Sequence, residues 1–294
     1  MIQGETQKQF KVGVCRPSHE PWHVVTVEAV SSRSFGRHTH DQYGIGVVMR
    51  GAHDSASGCG QVRATPGNMI TVNPNEVHDG RPVAGQARCW RMLYLDPALI
   101  AQTAKAMGQS AGMEFIHPVL DHRSAAQAFG RLFDALTRPD PGPWQEIVEQ
   151  ELFQILPSLL GEQRPTQVQL LSKELAQARE RIDAHPQDPV SLAELAAEAG
   201  LSRFHFLRAF KAATHLPPHA YRLQRQLQMA RRLIMTGHTV VQAAHLAGFS
   251  DQSHLTRHFA SSYGLTPGAL SSSLRRQLSP GASGQSRYQP FLSS

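Results

Sequence analysis

Between residues 24 and 95, short β-branched or apolar runs at 24–30, 45–49, 69–72 and 90–95 are separated by Gly, Pro and Asn turns. That rhythm predicts the strands of a small antiparallel barrel or sandwich. Near Asp96-Pro97 the period becomes helical, with helices expected over 97–107 and 124–136. After Pro143, the apolar Trp144, Ile147, Val148, Leu152, Ile155, Leu156 and Leu159 fall on one helical face, interrupted only by Glu151. Such a stripe reads first as internal packing and second as a dimer seam. The polar stretch 162–171, with Pro165, predicts an interdomain linker. Beyond it the chain is nearly all helix.

That helical region contains a duplication. Ser191 with Glu194 makes one capping box and Thr239 with Gln242 a second. Each opens a short Ala-rich helix that ends at a glycine, and Gly200-Leu201-Ser202 matches Gly248-Phe249-Ser250 at an offset of 48. His205, Arg208 and Phe210 match His254, Arg257 and Phe259 at an offset of 49, so one residue is inserted in the second turn. A short helix, a tight turn and a second helix showing basic and aromatic residues form a helix-turn-helix, here present twice. A helix over 219–235 joins the two units, its Leu223, Leu227, Ala230 and Ile234 facing inward and its arginines placed on the surface. At about 1.5 Å per residue it spans about 25–28 Å, enough with the flanking units to set two reading helices about one DNA turn apart.

Charge sharpens this division. Residues 1–165 carry 15 Lys and Arg against 16 Asp and Glu; residues 166–294 carry 14 against 7. From Ala199 onward there are 11 basic residues and a single acid, Asp251. A neutral front and a basic back suggest an effector half and a polyanion-binding half. No apolar run approaches the ~20 residues of a membrane span, and the polar first 16 residues lack a secretory core. Three scattered cysteines, Cys15, Cys59 and Cys89, offer no disulfide framework, which fits a cytoplasmic location. No Gly-x-Ser-x-Gly elbow or phosphate loop appears, so the chain reads as a non-enzyme.

The string Leu201-Ser202-Arg203-Phe204-His205-Phe206-Leu207-Arg208-Ala209-Phe210-Lys211 resembles the DNA-binding domain of the AraC/XylS family. So do Gly248-Phe249-Ser250-Asp251, Ser253, Arg257, Phe259, Gly264 and Thr266-Pro267 in the second unit. Thr214-His215 departs from the pattern, standing where a glycine usually follows the first reading helix. The resemblance implies that Phe204, Leu207 and Arg208, and then Gln252, Ser253, Thr256 and Arg257, reach bases. The chemistry agrees, since Arg pairs with guanine, Gln with adenine and apolar groups with the thymine methyl. Arg203, Lys211 and the arginines of the joining helix suit phosphates.

The segment Phe35-Gly36-Arg37-His38-Thr39-His40-Asp41, followed by Pro66-Gly67 and Pro74-Asn75-Glu76-Val77-His78, resembles the cupin-type effector domain of many AraC/XylS members. Cupin enzymes hold a metal with a His-x-His pair, a later glutamate and a further histidine. Here Gly44 stands at the glutamate position, and Asp41 and Glu76 are out of register. No metal or other cofactor is therefore assigned, and His38, His40 and His78, with Arg37, Tyr43 and Trp90, are read as walls of an organic effector site. Arg91 and Tyr94 are further wall candidates.

The expectation is an α+β multidomain chain. A cupin-like β-barrel (1–96) carries a helical extension (97–161) that is the candidate dimerisation region. After the linker at 162–171 comes an all-α domain (172–276) with two helix-turn-helix units joined by a linker helix, then a disordered tail (277–294). Its function is read as sequence-specific regulation of transcription, as an activator by resemblance, modulated by a small-molecule effector. Partners would be promoter DNA, a second copy of the chain and RNA polymerase, with no membrane. Two alternatives stay open: a metal-dependent cupin enzyme fused to a DNA-binding module, and a ligand-independent dimeric regulator.

Overall fold

The computed structural model describes residues 9–15, 22–57, 60–109, 113–138, 144–161 and 172–278. The linker expected at 162–171 and the tail from 279 onward lie outside them. Two compact units result, one drawn from residues 1–34, 40–162 and 272–294, the other from 35–39 and 163–271.

Nine strands come first: β1 (Gln9–Cys15), β2 (Val24–Ser31), β3 (Phe35–His38), β4 (Tyr43–Arg50), β5 (His53–Ser57), β6 (Gly60–Ala64), β7 (Met69–Val72), β8 (His78–Pro82) and β9 (Arg88–Leu95). Then follow α1 (Pro97–Ala106), the two-residue strands β10 (Glu114–Phe115) and β11 (Val119–Leu120), α2 (Arg123–Thr137), α3 (Trp144–Ile155) and β12 (Leu160–Gly161). The strands pair as a six-stranded sheet, β1-β2-β9-β4-β7-β11, a four-stranded sheet, β3-β8-β5-β6, and the pair β10-β12. Neither larger sheet closes on itself among the described residues, so the β-rich part is a pair of open sheets rather than a closed barrel.

Alternation along β9 sorts its side chains. Leu93 and Leu95 join Val24, Ile45, Val47 and Met69 in a core with the helices, to which α3 contributes Val148, Leu152 and Ile155. The apolar stripe of α3 is thus spent inside its own unit, as its first reading had it. Arg91 lies on this helix-facing side, bonded through Nε to the fully buried Glu28 (2.9 Å) and through Nη1 to Asp134 of α2 (3.1 Å). It is not a wall of the opposite face, where Trp90, Met92 and Tyr94 lie.

Apart from β3, the second unit is helical: α4 (Lys173–Ala184), α5 (Leu192–Glu198), α6 (Arg203–Thr214), α7 (Pro218–Met235), α8 (Val240–Leu246), α9 (Gln252–Tyr263) and the start of α10 (Pro267–Leu278), which runs just past residue 276. Both capping boxes form, Ser191 with Glu194 and Thr239 with Gln242. Gly200 and Gly248 end α5 and α8 with φ of 63° and 77°, a conformation that favours glycine. The inserted residue falls between that glycine and the next cap. Ser202 caps α6 by accepting from the His205 amide, whereas Asp251, not Ser250, caps α9 by accepting from the His254 amide. Leu195, Ala196, Phe206 and Phe210 close one core with α4, while Ala243, Ala244, Leu255 and Phe259 are buried in the second helix-turn-helix.

The glycine missing after α6 has a cost. His215 takes the left-handed conformation (φ 60°) that Gly264 takes at the end of α9 (φ 76°). An L-residue is strained there. His215→Gly is expected to stabilise the helical half by about 0.5–1 kcal/mol, read as a higher Tm. A lower Tm would show that the imidazole makes a compensating interaction.

Candidate DNA-reading face and effector site

The two reading helices present equivalent faces. On α6, Arg203, Phe204, Arg208 and Lys211 are exposed and Leu207 is half-buried, while Phe206 and Phe210 point inward. Phe204 is 63% exposed, an unusual solvation for a phenyl ring, and the Arg208 guanidinium lies 5.5 Å from its centroid. That contact orients the arginine outward and keeps its fork available. On α9, Gln252, Ser253 and Arg257 are exposed and Thr256 is half-buried, with Leu255 and Phe259 inside. Arg208 and Arg257 each stand six residues after the cap of their helix, Ser202 or Asp251.

The joining helix departs from expectation. Its arginines were placed on the surface as phosphate contacts, yet three of the four are drawn into the protein. Arg222 Nε donates to Pro186 O (2.9 Å), Arg225 Nε donates to Asp183 Oδ1 (2.6 Å), and Arg231 is buried. Arg232 is exposed. The half-buried Asp183 also accepts from the Tyr221 hydroxyl (2.8 Å), so this part of α7 binds α4 rather than solvent.

In the β-rich unit, the face of β9 away from the helices carries Trp90, Met92 and Tyr94. His40 packs on Tyr94 (centroids 4.7 Å) and on His78 (5.2 Å), and Trp90 meets His53 of the other sheet (6.2 Å). His40 and His78 are buried in this unit, while the buried His38, at the end of β3, belongs to the other unit. The sequence placed these imidazoles together on the His-x-His pattern. His38 Nδ1 faces Gly36 O (2.7 Å) and His78 Nδ1 faces Glu76 O (3.0 Å). A carbonyl only accepts, so in the neutral rings each Nδ1 carries the proton and each Nε2 the lone pair, an orientation also found in metal-ligating histidines. Among the described residues no carboxylate joins these histidines. A Cβ at Gly44 would meet Met92 Cε at 3.0 Å, Val72 Cβ at 3.4 Å and Tyr94 Cε1 at 3.6 Å, so the place of a fourth ligand is filled by β7 and β9 side chains.

Other expected wall residues do not gather here. Arg37 is exposed on β3. Tyr43 packs its ring on Phe115 (5.0 Å) and donates to Met113 O (3.1 Å), next to the helix-facing core. Trp90 does lie on the inner face. Sequence reasoning missed its neighbours Arg88 and His53. The Arg88 guanidinium sits 4.8 Å from the Trp90 ring, and its Nε donates to His53 Nδ1 (2.8 Å).

Residues 24–156 match the model of an AraC-like ligand-binding domain, and residues 195–273 match that of a helix-turn-helix domain. The uncharacterized HTH-type transcriptional regulator YbfI of Bacillus subtilis is 25% identical over 76% of this chain and 82% of its own. The probable transcriptional regulator LumQ of Photobacterium leiognathi is 37% identical over 29% of this chain and 35% of its own. In fold, the chain resembles an apo variant of ToxT from Vibrio cholerae, with a TM-score of 0.51 at 11% identity over 92% of this chain and 100% of that one. A ligand-binding domain followed by a double helix-turn-helix defines the class: a transcription regulator that binds double-stranded DNA. The chain belongs to the AraC/XylS family. Among the described residues no helix is long and apolar enough to cross a membrane.

His53 makes the β-rich unit sensitive to acid. Burial above all, then the adjacent Arg88 and His78 charges, push its imidazole from 6.5 down to about 3. The unfolded chain therefore binds a proton more readily than the folded one. The stability that neutral His53 contributes is full above pH 6.5 and is lost as pH falls toward 3. His53→Gln keeps an acceptor for Arg88 but cannot titrate, so its Tm should fall less than the wild type's between pH 6.5 and 4. Parallel curves would remove His53 from the account.

Proposed function

We propose that one chain reads two successive major-groove segments of a promoter, and that a small molecule bound against the inner-face cluster of the β-rich domain modulates this reading. The observation that carries the proposal is the equivalence of Arg208 and Arg257, exposed at the same step of two duplicated helices. Phe204, Leu207 and Arg208 read one segment, and Gln252, Ser253, Thr256 and Arg257 read the other; Arg203 and Lys211 hold phosphates. The effector acts by binding one of two arrangements of the regulator more tightly, and the regulated outcome is activation through RNA polymerase. The chain works as a homodimer. Its dimer contact is not the α3 stripe, which is buried in the chain's own core.

A second reading of the effector site is favoured by the adjacent imidazoles of His40 and His78. Two nitrogen donors suit a borderline divalent ion such as zinc, iron or nickel, with the remaining positions left for an effector group or water. Metal analysis of the purified full chain separates the readings. A stoichiometric ion lost in His78→Ala supports coordination, whereas no ion after incubation with each metal leaves the histidines as walls of an organic site.

The test of DNA reading is selection of the full chain against random duplexes, then comparison of variants on the selected site. Arg208→Ala and Arg257→Ala should each relax specificity by about 1–3 kcal/mol, in different halves of that site. Equal weakening on all sequences would make both arginines phosphate clamps and reassign the reading face.

A further inference from the structure

The two turn glycines of the duplicated units are not equivalent. A Cβ on Gly200 would meet nothing within 4 Å, so that glycine is required only by its φ of 63°. A Cβ on Gly248 would lie 2.6 Å from Gln187 O, 2.8 Å from Gln187 Cα and 3.0 Å from Gln226 Nε2. The turn of the second unit is therefore pressed, backbone against backbone, onto the segment that leaves α4.

One turn of α7 holds both sides of this joint. Arg222 Nε donates to Pro186 O (2.9 Å) and its Nη2 to Gln187 O (3.4 Å). Four residues on, the buried Gln226 donates through Nε2 to Ala247 O (3.0 Å) and Gly248 O (3.2 Å). These carbonyls end α8, where a helix leaves its last acceptors unmatched. Gln226 thus ties the second helix-turn-helix to the joining helix at the place where that unit also touches the segment after α4.

We infer that Gln226 is a positioning residue that fixes the second reading helix relative to the first, and so sets which spacing of the two DNA segments the protein accepts. The inference rests on the two-segment reading proposed above. The length of α7 sets how far apart the units stand, but not the rotation of the second unit about α7. The amide of Gln226 restrains that rotation, because turning α8 would strip the buried Ala247 carbonyl, and with it the Gly248 carbonyl, of a donor. DNA is a sharp gauge of such freedom, since each inserted base pair adds about 3.4 Å and about 35° of rotation between segments.

The test uses the full chain and its selected duplex, alone and with one or two base pairs inserted between the segments. Wild-type protein should lose about tenfold or more in affinity per insertion. Gln226→Met, similar in volume but without the donor, should lose only about threefold or less on the same duplexes, whatever its affinity for the uninterrupted site. Gln226→Glu, which sets a carboxylate against the two carbonyls, should behave likewise. The ratio between duplexes does not change if a variant is merely less stable, because a reduced active fraction weakens all sites alike. Variants that keep the wild-type spacing penalty would overturn the role of Gln226. A wild-type protein indifferent to insertion would instead overturn the two-segment reading, and this inference with it.

Discussion

A continuous helix cannot be stretched, and α7 is one helix of 18 residues, about 27 Å from end to end at about 1.5 Å per residue. Its buried Leu227, Ala230 and Ile234 leave it no freedom to unwind without opening the protein core. The first helix-turn-helix is packed near its start, where Tyr221 rings against Phe210, and the second is bonded to Gln226 further along. Both α6 and α9 inherit their separation from this one element. Gln226, bonded to the end of α8, and Arg222 and Arg225, bonded to α4 and the segment after it, would be wasteful on a simple spacer but make sense as ties on the rod.

The β-rich half is built on a different constraint, the two-residue alternation of β9 and its neighbours. One face is apolar and meets helices, with a single paired charge, Glu28 with Arg91, let into it. The other face gathers imidazoles, aromatic rings and the buried Arg88 between the two sheets. Polar groups there are costly unless bonded. Their concentration on one face is the feature on which the proposed effector site rests.

The helical half was legible in the sequence because its signals are local. Caps, turn glycines and the i, i+3, i+4 spacing act within a few residues, and the repeat let each unit check the other. Ser250 and Asp251 are both good caps by type, and the chain path chooses Asp251. In the front half the strongly apolar strands were readable, whereas β5 (HDSAS) and β6 (GQVRA) carry too few apolar positions to announce themselves. Open sheets replaced the expected barrel because strand order is a matter of distant pairing. Gln226, Arg88 and His53 were missed, and Arg222 was read as a surface phosphate contact, for a common reason. A polar residue reads as surface until the fold supplies its partner.

The central claim is that a single chain addresses two major-groove segments at a distance α7 dictates. Hydroxyl-radical footprinting of the full chain on its selected duplex tests it most directly. The account predicts two protected segments per bound chain, about one helical turn (about 34 Å) apart on the same face of the DNA. One protected segment per chain would contradict it.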